Sequence, residues 1–286
     1  MKIAAIDIGT NAIKSKIFDT TPTSIEFIES IRTPMRLGDD VYTQGILSEV
    51  SLETLTKIIK RYQKYFADNE IQIYEIVATS AFRDAGNSEN ARRFVEQKIN
   101  HPLKIISGLE EAKLISFNPI TEQNKKTLLI DHGGGSTDCL FVDSKEMLIQ
   151  SFNLGAVRSL YKQDNGEELK RLKEWIGKLK KIKTLIGIGG NIKDFFRAFG
   201  QSSIKPGEFN DFSMHLKTLS AEEKIKNYHF SKDRADVIDN AMMIFSDVIS
   251  QASGLKNIKC TKWGVSDSIA VKLFHETYSR DIKINI

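Results

Sequence analysis

Cysteine is nearly absent. Cys139 and Cys260 are the two in 286 residues, too few and too far apart in sequence for a disulfide framework or a zinc site. Each is expected as a buried free thiol in a reducing cytosol. Five histidines give no His-x-x-x-His or similar pair. No apolar stretch approaches the roughly 18 residues of a membrane span, and the run after Met1-Lys2 is broken at Asp7, so neither an anchor nor a signal peptide is expected. The reading is a cytoplasmic protein. Neither a Gly-x-x-x-x-Gly-Lys-Ser/Thr loop nor a Gly-x-Gly-x-x-Gly fingerprint occurs, which excludes two common nucleotide signatures. Net charge is only +4, with a pI near 8.8. That balance suits the handling of anions better than the wrapping of duplex DNA.

The chain is organised around residues 128–142. Two short apolar runs flank Asp131-His132-Gly133-Gly134-Gly135-Ser136-Thr137-Asp138, a pattern that reads as strand, tight turn, strand. Glycines let backbone N–H groups close on a bulky anion, and an acid at the end of the first strand is placed to hold a metal beside it. An ordinary hairpin whose turn needs positive φ explains a lone triple glycine equally well. A second copy tips the balance. Ile3 to Phe18 repeats strand, acid, glycine-containing turn and strand, with Asp7 and Gly9 each 124 positions before Asp131 and Gly133. A duplicated half-chain would bring two such turns together across a cleft able to hold a phosphate chain, and the length allows two domains of about 100–200 residues each.

Further motifs follow in order: Arg36-Leu37-Gly38, then Ala78-Thr79-Ser80-Ala81-Phe82-Arg83-Asp84, then Ser107-Gly108-Leu109-Glu110-Glu111-Ala112. After the triple glycine come Leu154-Gly155-Ala156-Val157-Arg158, Gly187-Ile188-Gly189-Gly190 and Arg234-Ala235-Asp236-Val237-Ile238. With the two turns, this series resembles the exopolyphosphatase and guanosine pentaphosphate phosphatase family of the actin-like ATPase and sugar-kinase superfamily. The resemblance covers roughly residues 1 to 275 and implies an α/β fold of two duplicated ribonuclease H-like domains with a cleft between them. Residues 1–118 would form the first domain, 119–267 the second, and a last helix over about 268–286 would pack back on the first.

The resemblance also implies a chemistry: Mg²⁺-dependent hydrolysis of a phosphoanhydride, the substrate being inorganic polyphosphate or a guanosine alarmone. Glu111 is the implied base. Asp131, with Asp7 and Asp138, would hold Mg²⁺ directly or through water. Phosphate oxygens would be met by Gly133, Gly134, Gly135 and Ser136 on one side and Gly9, Thr10, Asn11 and Arg83 on the other. Three departures stand out: His132 replaces a hydrophobic residue, Asp138 a glutamate, and Val265-Ser266-Asp267 lacks an arginine. They keep a non-catalytic binder as an alternative, beside a kinase-type transferase. No membrane partner is expected, and the sequence specifies neither monomer nor homodimer.

Between the motifs, a third strand is expected over 25–32, a turn-rich loop over 33–45 and a helix over 47–66. A strand over 73–78 should lead past Arg83 to a helix over 88–99 capped by Asn87. Because consecutive helical positions point about 100° apart, one of Glu110 and Glu111 should face inward. His132, next to Asp131 in a strand, should face away from it. Residues 119–126 read as a hinge, and single helices are expected over 214–228, 235–252 and 265–278. A helix over 166–180 lies in a stretch crowded with Lys162, Lys170, Arg171, Lys173, Lys178, Lys180, Lys181 and Lys183. That stretch is either a solvated face or a channel for a long anionic chain.

Overall fold

The computed structural model describes residues 1–119, 126–144 and 146–282, with side chains as far as Tyr278. Most of the expected hinge lies outside the described residues. Two units result, one of Met1–Ser107 with the segment from Val265, the other of Gly108–Gly264. The break falls before residue 118 because α5 (Gly108–Leu114) packs on strands β7 (Thr137–Val142) and β8 (Met147–Phe152) of the second unit.

The first unit has strands β1 (Lys2–Ile8), β2 (Ala12–Thr21), β3 (Ser24–Pro34), β4 (Ile73–Ala78) and β5 (Lys104–Ile105), ordered β3-β2-β1-β4-β5. The first three form an antiparallel meander, and β4 and β5 run parallel to β1. β1 is buried along nearly its whole length through Ile3, Ala4, Ala5, Ile6 and Ile8. α2 (Glu49–Asp68) buries Leu52, Leu55, Ile59, Tyr62 and Phe66, and Ser48 caps it by accepting from Ser51 N. Each such large apolar side chain contributes about 1.5–3 kcal/mol. The last helix, which we number α13 (Val265–Ile282), packs on β1, β2 and β4. A nearly buried ion pair ties it there: Lys16 Nζ lies 2.6 Å from Asp267 Oδ1.

Two local expectations for this unit needed correction. The turn-rich segment contains helix α1 (Gly38–Gln44), with Asp39 and Asp40 in its first turn and Gly45 closing it at φ 77°. α4 (Ser88–Ile99) starts where expected, after the short α3 (Ser80–Asp84), but Asn87 does not cap it. Its amide instead brackets Leu47, accepting from Leu47 N at 2.9 Å and donating to Leu47 O at 2.8 Å.

The second unit repeats the first. β6 (Thr127–His132), β7 (Thr137–Val142), β8 (Met147–Phe152), β9 (Thr184–Ile188), β10 (Ser203–Ile204) and β11 (Asn257–Cys260) run in the order β10-β11-β9-β6-β7-β8. Read from β8, five of these retrace the first sheet in order and direction. Ile115, Leu129, Leu140, Val142, Ile186 and Ile188 form an apolar core on this sheet. Helices α6 (Ala156–Leu160), α7 (Gly166–Lys178), α8 (Gly190–Phe199) and α12 (Ile238–Gln251) belong to this unit. Where one helix was expected over 214–228 there are two, α9 (Pro206–Lys217) and α10 (Ala221–Tyr228), divided by the Ser220–Glu223 capping box. α11 (Lys232–Ala235) precedes α12. The fold is that of the actin-like ATPases, two ribonuclease H-like units from one duplicated plan. Among the described residues no helix is long and apolar enough to cross a membrane.

His132 lies inside the second unit. It is 1% exposed, its ring meets Phe245 edge-on at 6.1 Å, and Nδ1 is 2.7 Å from Thr137 Oγ1. Thr137 gives its proton to Leu154 O at 2.7 Å, so the imidazole carries its hydrogen on Nδ1. Burial pushes its pKa down to about 3. Because an unfolded histidine titrates near 6.5, the unfolded chain binds the extra proton first, and stability is lost as pH falls from about 6.5 towards 3. Urea unfolding between pH 6.5 and 5 should show a decline of about 1.4 kcal/mol per pH unit from this group. His132→Asn, which keeps a partner for Thr137, should flatten that decline. An unchanged slope would assign the pH dependence elsewhere.

Candidate active site

The glycine turn is held by its carbonyls. Gly133 N closes the hairpin on Ser136 O at 3.0 Å. The carbonyls of Gly133 and Gly134 accept from Ala156 N (3.0 Å), Val157 N (2.9 Å) and Arg158 N (3.0 Å), and Gly135 O accepts from Arg158 Nε at 3.0 Å. The first turn of α6 is therefore satisfied by the hairpin. Gly155 makes this approach possible, since a Cβ there would lie 2.4 Å from Gly134 O and from Gly135 N and Cα. With the carbonyls turned this way, the N–H groups of Gly134, Gly135 and Ser136 donate to nothing among the described residues. Three adjacent amides of this kind make an anion-binding concavity. The triple glycine avoids the left-handed φ found at Gly45, Gly189, Gly200 and Gly254, so a turn that needs positive φ does not explain these glycines.

Directly below the turn, Asp131 and Asp138 stand opposite each other across the β6–β7 ladder. Asp138 is 2% exposed and accepts from Ser136 Oγ at 3.1 Å. Asp131 packs against the backbone of Gly189, where φ is 92° and a Cβ would come within 2.7 Å of Asp131 Oδ1. Like charges directly opposed on neighbouring strands repel. A hard cation with oxygen ligands relieves that repulsion, and Mg²⁺ commonly takes one or two carboxylates and completes its shell with water and substrate phosphate. Among the described residues no group of three or more His, Cys, Asp or Glu gathers. The pair is of the oxygen-donor type that such an ion takes.

The other sequence-predicted residues fall as follows. Glu111 is buried in α5, which packs on β7 and β8, whereas Glu110 is exposed. In the first unit Gly9 N closes its hairpin on Ala12 O at 3.1 Å, the counterpart of the Gly133 bond. Thr10 Oγ1 meets Ser80 Oγ at 2.8 Å, Thr10 O accepts from Gly38 N at 3.0 Å, and Asn11 Oδ1 accepts from Arg36 Nε at 2.6 Å. The Thr10 amide donates to nothing among the described residues. Asp7 faces Lys14 across its ladder, with 3.8 Å between Oδ2 and Nζ. Burial raises the Asp7 pKa and Lys14 partly offsets this. Arg83 lies in α3 and donates from NH1 to Ile106 O at 2.9 Å, while Glu89 pairs with Arg92 and Arg93.

Where β9 enters α8, at the Gly189-Gly190 pair, the structure brings in two residues that sequence reasoning gave no role, Asn191 and Arg234. Arg234 is 7% exposed and donates to Asn191 Oδ1 at 2.8 Å. Asn191 donates in turn to His132 O at 3.5 Å. The guanidinium covers Gly190, where a Cβ would overlap NH2 at 2.0 Å, and Asp194 lies 3.7 Å from Nε. Arg234 belongs to the Arg234-Ala235-Asp236-Val237-Ile238 motif, yet nothing in its spacing links it to the glycine hairpin.

Residues 16–276 match the model of the Ppx/GppA phosphatase family. Among solved structures, the Aquifex aeolicus member of the Ppx/GppA family is 23% identical, with 100% of this chain and 99% of that one covered and a TM-score of 0.75. An exopolyphosphatase from Cytophaga hutchinsonii is 18% identical, covering 96% and 98% with a TM-score of 0.82. At these identities the likeness carries the fold alone, whereas the family match spans nearly the whole chain. The chain belongs to the Ppx/GppA phosphatase family and is a phosphoanhydride hydrolase.

Proposed function

We propose that the protein is a Mg²⁺-dependent phosphohydrolase that releases the terminal phosphate of inorganic polyphosphate or the 5′-γ-phosphate of guanosine pentaphosphate. The observation that carries this reading is the union, on one hairpin, of three amides without acceptors and an opposed carboxylate pair. The amides of Gly134, Gly135 and Ser136 receive phosphate oxygens as charge builds on them, a preorganised arrangement that needs no reorientation during reaction. Asp131 and Asp138 hold Mg²⁺, which when bound neutralises charge on the transferring group. Asp7, already countered by Lys14, stays outside this ligand set. In the first unit, the Gly9-Thr10-Asn11 turn and Arg83 are assigned to phosphate. Glu111 takes the proton from the attacking water. Ser136 is engaged with Asp138 and is given no nucleophilic role.

A phosphate-release assay with long polyphosphate, tripolyphosphate, guanosine pentaphosphate and ATP, with and without Mg²⁺, tests the reading and separates the two substrate classes. Binding of one of them with no release from any would make the chain a binder.

Glu111→Gln should lower turnover by about 10²–10⁴-fold with KM nearly intact, the range for loss of a general base. Glu110→Gln, on the exposed side, should do little. The reverse ranking would move the base to Glu110.

Asp138 is one methylene shorter than the family's glutamate. Asp138→Glu should keep or raise the Mg²⁺-dependent rate, whereas Asp138→Asn should abolish most of it by removing a charge from the pair. If Asp138→Asn retained full Mg²⁺ dependence, Asp138 would not be a ligand.

A further inference from the structure

At the end of the second sheet away from the glycine hairpin, β6, β9 and β11 begin side by side. Thr127 is in parallel register with Thr184, and Thr184 with Asn257. The residues before them are Lys126, Lys183 and Lys256. Backbone bonds fix these as a row: Lys183 N donates to Lys126 O at 2.8 Å, and Lys256 N to Lys183 O at 3.0 Å. Neighbouring strands lie about 4.8 Å apart, so three lysines issue from a line roughly 10 Å long. Lys180 and Lys181 lead directly into the row, and the Lys181 chain crosses Gly254, where a Cβ would come within 3.1 Å of its Cγ.

Two observations separate this row from an ordinary solvated face. Lys126 and Lys181 hold left-handed backbone, φ 60° and 47°, a conformation that glycine or asparagine adopts at lower cost. The charge pattern is also one-sided. On α7, Arg171 and Lys173 pair with Glu168 and Asp247. No ion pair engages Lys126, Lys180, Lys181, Lys183 or Lys256 among the described residues. Residues 178–184 and 253–257 contain no acid and no aromatic ring. The nearest acid in register is Asp143, just past Val142, and its Oδ1 accepts from Ser144 N at 2.6 Å.

We propose that this lysine row is a remote anchoring site for inorganic polyphosphate, an inference that rests on the polyphosphatase reading of the hairpin. Unpaired cations in a line attract any polyanion, so the choice of partner depends on what the row lacks. Binding of single-stranded nucleic acid uses aromatic platforms for the bases, and recognition of shaped phosphate sites favours the arginine fork. Here there are only lysines, hydrated point charges suited to a chain of bare phosphates. A six-residue strand spans about 20 Å, so tripolyphosphate held at the hairpin cannot reach the row, whereas a long chain can. Each contact then raises the effective concentration of the chain at the other.

The test is the triple variant Lys126→Glu/Lys183→Glu/Lys256→Glu, compared with Lys57→Glu/Lys60→Glu/Arg61→Glu on α2, which makes the same charge change on the first unit. Initial rates on long polyphosphate and tripolyphosphate are measured across a salt series, together with direct titration of end-labelled long polyphosphate and a single-stranded oligonucleotide. The row variant should raise KM for the long chain by about tenfold or more at low salt and weaken its titrated affinity equally. Its kcat, its rate on tripolyphosphate and its thermal unfolding should match wild type, and the α2 variant should show no length dependence. Wild-type-like KM and affinity on the long chain would overturn the row while leaving the hydrolase reading intact. Equal losses on both lengths would overturn it as a remote site. A preference of the row for the oligonucleotide would replace polyphosphate with nucleic acid. Failure of the wild type to bind or cleave polyphosphate at all would remove both readings together.

Discussion

The structure of the second unit depends on an electrostatic problem built into one hairpin. Asp131 and Asp138 are opposed across a ladder, beneath a turn whose carbonyls are fully occupied and whose amides are not. Like charges directly opposed on neighbouring strands repel, and a nearby positive charge eases that repulsion. The first unit solves the same geometry differently. Its corresponding pair is Asp7 and Lys14, of opposite charge. One fold, used twice, thus gives one hairpin with an acid opposite a lysine and one with two opposed acids.

Supporting such a hairpin requires backbone to come closer than side chains allow. Gly155 lets α6 reach the turn carbonyls, Gly189 lets β9 pass beside the Asp131 carboxylate, and Gly190 admits the Arg234 guanidinium. In each case a single methyl group would collide with an atom that defines the site. These glycines act chiefly by leaving room, although Gly189 also needs its left-handed φ. The strand-to-helix junction that carries two of them also aligns Asn191 and Arg234 behind His132, so a second brace joins α6 at the C-terminal end of the hairpin's first strand.

Much of this plan was legible because it repeats. A constant offset between two acid-turn elements survives as strand pairing, and the alternation of a strand separates Asp131 from His132 without reference to tertiary structure. Legibility failed where one residue type serves two purposes. Gly38 and Gly45 read as turn residues, yet acids in a first turn, here Asp39 and Asp40, and a glycine after a last turn also bound the helix α1. Ser220 and Glu223 carried a helix-start signal inside an apparently continuous helical pattern. Asn87 had the composition of a cap and a tertiary partner instead. The Arg234–Asn191–His132 chain spans elements far apart in sequence, and no local rule joins them.

His132 shows how a departure in sequence can be accommodated without changing the chemistry. Alternation that turns Asp131 towards Asp138 turns its neighbour into the core, where a charged imidazole would be expensive. The ring stays neutral there, spends its proton on Thr137, and so leaves the threonine hydroxyl free to donate to Leu154 O. Leu154 immediately precedes Gly155, the residue on which the approach of α6 to the glycine turn depends. A polar residue in an apolar position therefore becomes part of the framework that fixes the turn. Its distance from acid–base work follows from the same alternation that gives Asp131 its place.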